Sequence, residues 1–286
     1  MRKFSLFIVV VLLSNFVQAQ DAVYYDSPWS ISDSTDKYIF TDTAFIRPTA
    51  GTANNAADTL LCGHSVLVVN ATDKPLTLKG ITAPWVKISY TKNNMPKQGY
   101  VWAGLLSLKP LRRGNTKFIF GIDKFTADKK AKADDYIQGK YTIVLKLLQN
   151  DTILNQYSFT RNKDESFSFT DTKVMSGMGL KNVSNIATLY HGGEACGIAS
   201  NTLYFAVVNN KIVKLPNLMS VGDADIYSHD ETFTFPAEKN GRPNTIIWNM
   251  KEEEATEKLD KKGWPIYKKT SARKLYNWNG AKITNM

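Results

Sequence analysis

Four pairs of apolar segments, each pair separated by residues that favour tight turns, constrain the second half of this chain more than any other feature. The turn pairs are Asn150-Asp151, Asn209-Asn210, Asn240-Gly241 and Asn279-Gly280. Asn, Asp and Gly tolerate the left-handed backbone that short hairpin turns require. Strands that follow one another directly in this way pair antiparallel, because parallel pairs need a long crossover. We therefore predict an antiparallel meander over residues 113–286, arranged as a sandwich, a barrel or a partial propeller.

The first half of the chain also shows strand-like alternation, so the expected fold class is all-β. Alternating or β-branched runs occur in YIFTDTAFIRP, SVLVVN, WVKISY and GYVWAGLLSL. The stretch from Pro110 to Gly114 breaks the pattern and predicts a domain boundary. Residues 20–37 are polar and weakly periodic, which indicates a lead-in segment. Only ADKKAKADDYIQGK (a short helix or a solvated loop) and KEEEATEKLDKKG (locally helical) depart from the strand pattern.

The N-terminus has the layout of a secretory signal peptide over residues 1–19. Arg2 and Lys3 precede an apolar run from Phe4 to Leu13, and the small residues Val17 and Ala19 flank Gln18. The run is shorter than the roughly 20 apolar residues that span a bilayer. We expect cleavage near Ala19 and a periplasmic or secreted protein that does not span the membrane.

The charge of the chain does not indicate a nucleic-acid partner. The formal net charge is +10, but the lysines are interspersed with Asp and Glu and form no continuous basic stripe. Outside the cytoplasm, a basic protein meets anionic glycans, cell-wall polymer or lipid headgroups. Ordinary solubility explains the charge equally well.

Residues 38–112 contain an ordered set of features. An opening strand ends at Arg47-Pro48, a polar loop follows, Gly63 precedes the strand SVLVVN, and WVKISY and GYVWAGLLSL come last. In their order and spacing these features resemble a bacterial SH3-like domain, which implies a small barrel. The chain departs from the compact family pattern in one respect, a longer loop from Asp73 to Pro84.

The resemblance implies a binding role and four candidate ligand-binding residues. Family members commonly bind peptide or peptidoglycan stem segments in a shallow groove lined by aromatic rings, which here are Trp85, Tyr90, Tyr100 and Trp102. Val101 is expected to face the interior and Tyr100 and Trp102 the opposite face. Alternatively, Trp85 and Trp102 only cover the barrel end. The expected partner is a cell-wall or peptide ligand or another envelope protein, with no cofactor and no catalytic residue.

Two other readings of the chain remain open. SH3-like domains are often fused to cell-wall cysteine peptidases, so Cys196 with His191 and His229 could form the site of an envelope hydrolase. The residues around Cys196 lack the Asp and Ser of the peptidase motif and lead into a strand-like run. In the third reading the chain is a structural surface protein, and its SH3-like barrel is occluded by its own second domain.

Disulfide formation and metal binding are also left undecided. Cys62 and Cys196 are the only cysteines and could pair in an oxidising compartment, although they lie in different predicted domains. The segment GDADIYSHDE brings several possible ligands of a divalent cation close together in sequence, namely Asp223, Asp225, His229, Asp230 and Glu231. Their spacing matches no known metal motif, and a solvated loop is the expected alternative.

Overall fold

The computed structural model describes residues 28–29, 31, 34–132, 137–193, 195–224 and 226–285. The predicted signal peptide and most of the predicted lead-in segment lie outside these residues. The described residues form antiparallel β-strands and two short 3-10 turns, at Ala103–Leu105 and Glu165–Phe167, with no α-helix among them.

The strands follow one another along the chain with short connections. In chain order they are β1 (Thr35–Tyr38), β2 (Thr43–Ile46), β3 (Asp58–Leu61), β4 (Ser65–Leu78), β5 (Ile81–Lys92), β6 (Met95–Trp102), β7 (Arg112–Arg113), β8 (Thr116–Ala127), β9 (Gly139–Gln149), β10 (Thr152–Asn162), β11 (Phe169–Ser176), β12 (Val183–Gly192), β13 (Ser200–Val208), β14 (Lys211–Lys214), β15 (Leu218–Asp223), β16 (Tyr227–Thr234), β17 (Thr245–Leu259), β18 (Pro265–Trp278) and β19 (Ile283–Asn285).

The N-terminal part contains a four-stranded sheet and a separate hairpin. The sheet has the order β1-β4-β5-β6, and β2 pairs only with β3. Two isolated bridges, Ile39 with Leu106 and Arg47 with Tyr100, connect these elements. The Arg47–Tyr100 bridge contains two backbone hydrogen bonds, of 2.9 and 2.8 Å. The last strand and the residues after it therefore return to the beginning of this part of the chain.

One sequence-based expectation for this region is wrong, and the lead-in segment contains structure that its pattern did not indicate. The segment from Asp73 to Pro84 is not an open loop, because β4 and β5 continue as a hairpin that turns at Lys79-Gly80. The lead-in segment ends in β1, which pairs with β4, and the side chain of Trp29 is fully buried. Its weak periodicity hid both features, because β1 is only four residues long.

In the central sheet, which has the order β10-β9-β8-β7, the first half of β8 is buried on both faces. Phe118 and Phe120 of β8 belong to the main hydrophobic core, and the Phe120 ring lies 5.6 Å from that of Phe205 in β13. Ile119 faces the other way and packs with Phe40 of the N-terminal part. A strand covered on both faces reads as a continuous apolar run, which explains the sequence FIFGI.

The remaining strands form one nine-stranded antiparallel sheet. Its order is β11-β12-β13-β15-β16-β17-β18-β19, and β14 pairs with the free part of β13. Hairpins occur at all four predicted turn positions, and both residues of Asn150-Asp151 and of Asn209-Asn210 have positive φ. The predicted helix in KEEEATEKLDKKG is wrong, because residues 251–259 belong to β17 and pair with β18. Cross-strand partners such as Lys269 opposite Glu253 override the helix propensity of this segment.

The all-β antiparallel prediction is confirmed, and none of the sheets is closed. One hydrophobic cluster includes Trp29, residues of the central sheet and Ile212, so the N-terminal and C-terminal parts share a core. The predicted domain boundaries stay a prediction. Cys62 is buried, Cys196 is exposed, and both are free thiols, so these two cysteines do not form a disulfide.

Candidate functional site

A groove of about 870 Å³ lies between the N-terminal part and the central sheet. One side is formed by β3, the start of β4 and the end of β5, and the other by Lys117 and Asp151. Segments that are distant in sequence thus meet here, because the N-terminal part packs against β8 and β9.

One wall of the groove is built around the carboxylate of Asp58. This side chain is largely buried and accepts hydrogen bonds from Lys92, from Lys97 at 2.9 Å and from the hydroxyl of Tyr90 at 3.2 Å. The Lys92 hydrogen bond is the main reason that the pKa of Asp58 lies well below its usual range, and Lys97 adds to it. Burial, with the neighbouring Asp58 charge, raises the pKa of Tyr90 to about 12. Tyr90 therefore stays protonated and holds its ring at a fixed position in this wall.

The opposite wall is held by Lys117. Its ammonium donates to the carbonyl of Gly63 at 2.9 Å and to the carboxylate of Asp151 at 2.7 Å, and it lies 5.4 Å from the centre of the Tyr38 ring. Asp151 is mostly exposed, so a carboxylate from solution can replace it as the partner of Lys117. Cys62 also lines the groove, but burial raises the pKa of its thiol, which keeps it protonated and unreactive.

Between these walls the groove exposes apolar side chains. Leu61 is 65% exposed and Leu67 is 38% exposed, and both line the groove beside the Tyr90 ring. The ring of His64 lies edge-on to that of Tyr90, with 6.2 Å between the ring centres. Apolar surface flanked by an aromatic ring and a cation is suited to an extended chain that carries an anionic group.

Comparison with protein-family models, with curated proteins and with solved structures gave no match. Among the described residues, no group of three or more His, Cys, Asp and Glu side chains is arranged to hold a metal ion. The same part of the chain contains no helix long and apolar enough to cross a membrane.

The structure places the four predicted ligand-binding residues differently from one another. Trp85, Tyr90 and Trp102 are buried, Tyr100 is half-buried, and only Tyr90 lines the groove. Trp102 is covered, because its indole N–H donates to the carbonyls of Leu76 at 2.9 Å and Ala83 at 3.0 Å, which agrees with the alternative that this ring packs. The β4–β5 hairpin, whose length the sequence did not indicate, supplies both acceptors. A ligand-binding role for these residues stays a prediction.

The burial of Trp102 also bears on the third reading, in which a second domain occludes the barrel. Both carbonyls that accept from the indole, of Leu76 and Ala83, and the neighbouring Gly104 belong to the same N-terminal part. The C-terminal part therefore does not provide these contacts.

The described residues do not assemble a cysteine–histidine site. Cys196 lies in a turn and not at a helix start, and no hydrogen bond joins it to His191 or His229. The two histidines lie on β12 and β16, which are separated by β13 and β15, or roughly 14 Å across the sheet. His191 is buried, which lowers its pKa to about 4, and its Nδ1 lies 2.7 Å from the carbonyl of Ser166.

His229 interacts with Glu231, which belongs to the predicted cation cluster, and with Glu252, which the sequence did not single out. Its Nδ1 is 3.2 Å from Glu252 and its Nε2 is 3.2 Å from Glu231. Burial lowers the pKa of His229, but the hydrogen bonds to Glu252 and Glu231 outweigh burial and raise it above the ordinary value. Asp225 lies outside the described residues. Both ring nitrogens are thus already occupied by side chains of the sheet.

Sequence reasoning missed Leu61, Leu67 and Lys117 as groove residues. It also missed Asp58, which does not line the groove but holds Tyr90 and Lys92 in its wall. A signal for Leu67 was present, because in SVLVVN it alternates with the interior residues Val66 and Val68 and so has to face outward. An apolar side chain at an outward strand position is a reason to look for a binding surface. Nothing in the sequence indicated that Lys117, which lies 54 residues after Gly63, would complete the groove.

Proposed function

We propose that this chain is an exported, non-enzymatic binding or scaffolding protein of the cell envelope. Residues 38–112 act as an SH3-like barrel that recognises an extended peptide or a peptidoglycan stem segment. The bridges of Ile39 with Leu106 and of Arg47 with Tyr100 support this architecture, because they bring the last strand back to the first one. The pattern of residues 1–19 supports export.

The observation that carries the proposal is the groove beside Tyr90. Its exposed leucines, Leu61 and Leu67, offer apolar surface to the ligand, and Lys117 lies within reach of a ligand carboxylate. The walls are held by buried or half-buried polar contacts around Asp58, so the groove is formed before the ligand arrives. A preformed groove loses little conformational entropy on binding.

The test uses two leucines of the same strand. Leu67→Ser changes the groove, whereas Leu78→Ser changes an equally exposed leucine at the far end of β4 that does not line it. Both variants are expected to unfold at nearly the same denaturant concentration as the natural protein, because exposed substitutions cost little. We expect Leu67→Ser, alone and with Leu61→Ser, to reduce pull-down by purified peptidoglycan and to weaken the binding of soluble stem peptides.

The outcomes separate the alternatives. Loss of binding with Leu67→Ser and retention with Leu78→Ser support recognition by the groove. Equal binding by all variants, or no binding of peptidoglycan and stem peptides by the natural protein, contradicts the proposal. Lys117→Gln then tests whether Lys117 binds a carboxylate of the ligand. We expect the variant to bind stem peptides with free carboxylates more weakly and amidated stem peptides as well as the natural protein does.

A further inference from the structure

The hairpin formed by β17 and β18 ends in a well-ordered tip, residues 256–266. Leu259 pairs with Pro265, and Asp260 N–H donates to the carbonyl of Trp264 at 2.8 Å. The Asp260 carboxylate accepts from the backbone N–H groups of Lys262 at 2.8 Å and Trp264 at 3.0 Å. Gly263 has a φ of +85°, which the turn requires. The tip is therefore held in one shape by its own contacts.

The tip exposes large apolar side chains. Leu259 is 62% exposed and Trp264 is 63% exposed, and Ile266 is also exposed. Burial of such side chains is favourable, but the leucine and the tryptophan at the end of this turn stay exposed to water. Because they lie at the end of a hairpin and not within a groove, these side chains can insert into an apolar environment outside the protein.

Lysines surround these apolar residues. Lys258, Lys261 and Lys262 form no ion pair with any residue that the structure describes. The tip also contains two exposed acidic residues, Glu257 and Asp260, and the Asp260 carboxylate accepts hydrogen bonds from backbone N–H groups of the turn. Three lysines against these two carboxylates leave residues 256–266 with a net charge of +1 (3 − 2). Farther back along the hairpin the charges compensate one another, as in the 2.8 Å ion pair of Lys269 with Glu253. Positive charge and apolar surface thus coincide at the tip.

We propose that this tip binds the surface of a bilayer that contains anionic lipids. Trp264 and Leu259 enter the boundary between headgroups and acyl chains, and the three lysines contact lipid phosphates. Tryptophan favours this boundary because its ring is apolar and its N–H is polar. A protein partner fits less well, because lysine is depleted in protein interfaces, whereas each lysine adds attraction to an anionic leaflet. The proposal is independent of the groove and of the function proposed for it.

The experiment measures sedimentation of the full mature chain with vesicles. The vesicles contain phosphatidylcholine alone or phosphatidylcholine with about one third phosphatidylglycerol. We expect binding to the anionic vesicles only, and weaker binding at high salt. Replacing Leu259 and Trp264 by alanine is expected to lower the partition coefficient about tenfold or more. Phe45→Ala, which removes an exposed aromatic ring from β2, is the matched control and is expected to have no effect.

Charge is tested with a second matched pair. Lys261→Gln with Lys262→Gln is expected to lower partition about 30-fold, whereas Lys129→Gln with Lys130→Gln, an exposed pair in the β8–β9 connection, is expected to leave it unchanged. Equal partition of the tip variants and the natural protein would overturn the proposal, and so would equal binding to both vesicle types. A tip variant that changes the oligomeric state without vesicles would also overturn it, because the tip would then contact a second copy of the chain.

Discussion

The ring of Phe40 lies directly against Gly121 in the central sheet, so close that a methyl group on the glycine would overlap the ring. Phe40 belongs to the N-terminal part and is almost fully buried. Together with Tyr38, Cys62, Ile119 and Leu148 it forms the apolar contact between the N-terminal part and the central sheet. The same contact positions Lys117 across the groove from Leu61. A glycine in the middle of a strand is therefore a determinant of the groove.

Gly121→Ala is expected to lower the free energy of unfolding by about 1–3 kcal/mol, because the new methyl group displaces the Phe40 ring from a packed interface. Gly222→Ala is the control, since Gly222 also lies in a strand but has nothing within 4 Å of the added carbon. Urea denaturation measures both variants. Equal stability of the two would show that the N-terminal part is not packed as described.

Trp102→Phe is expected to lower the free energy of unfolding by about 1–3 kcal/mol, because it leaves the carbonyls of Leu76 and Ala83 without the indole donor. Trp264→Phe, at an exposed tryptophan, should change the free energy of unfolding by less than about 0.5 kcal/mol. The comparison separates a structural from a ligand-binding role. An unchanged unfolding curve for Trp102→Phe would restore this residue as a candidate for ligand contact.

Lys37 is expected to make stability depend on pH. Its side chain is fully buried and donates to the carbonyls of Trp29 and Leu108, and burial, helped by the charge of Lys109, lowers its pKa to about 7 from the ordinary 10.5. Between these values the unfolded chain binds more protons than the folded one, so stability rises with pH, by up to about 1.4 kcal/mol per pH unit.

Urea denaturation at several pH values between 7 and 10.5 measures this slope for the natural protein and for Lys37→Met. Lys37→Met is expected to lack the increase in stability with pH that Lys37 contributes, whatever its stability at pH 7. Lys124→Met, at an exposed lysine, should retain it. If the free energy of unfolding depends on pH equally in the natural protein and in Lys37→Met, the Lys37 side chain is not a neutral, buried amine.

His229 and His191 are expected to titrate on opposite sides of the ordinary histidine pKa of 6.5. The hydrogen bonds to Glu252 and Glu231, which outweigh burial, place His229 above it, and burial places His191 at about 4. The sequence contains three histidines, so NMR titration of the ring protons, assigned with His229→Gln and His191→Gln, measures both values. A His229 midpoint at or below 6.5 contradicts the described contacts.

The raised pKa of His229 has a consequence for stability. Its charged ring stabilises the β16–β17 pairing fully below pH 6.5, and this contribution is lost as the pH rises through the raised pKa. The stability of His229→Gln should therefore fall less than that of the natural protein over this range. Thermal unfolding at a series of pH values compares the two proteins. An equal decrease would show that the ring does not contribute through its charge.

Local sequence patterns were sufficient to predict the fold class and the hairpin turns of this protein. Both depend on neighbouring residues: Asn150-Asp151 and Asn209-Asn210 tolerate positive φ, and alternation over a few residues indicates strands. Charged segments were less informative, since the glutamates of β17 favour a helix locally and become a strand only through their partners in β18.

Local patterns did not predict which strand faces are covered or which distant residues come into contact, because both depend on tertiary packing. Alternation shows that Trp102 and Tyr100 share a face, but burial of Trp102 depends on the β4–β5 hairpin that folds over it. The burial of Lys37 and the position of Lys117 across the groove from Leu61 likewise depend on contacts between distant segments. Such contacts join residues far apart in the chain, and their free energy depends on packing that no local pattern encodes.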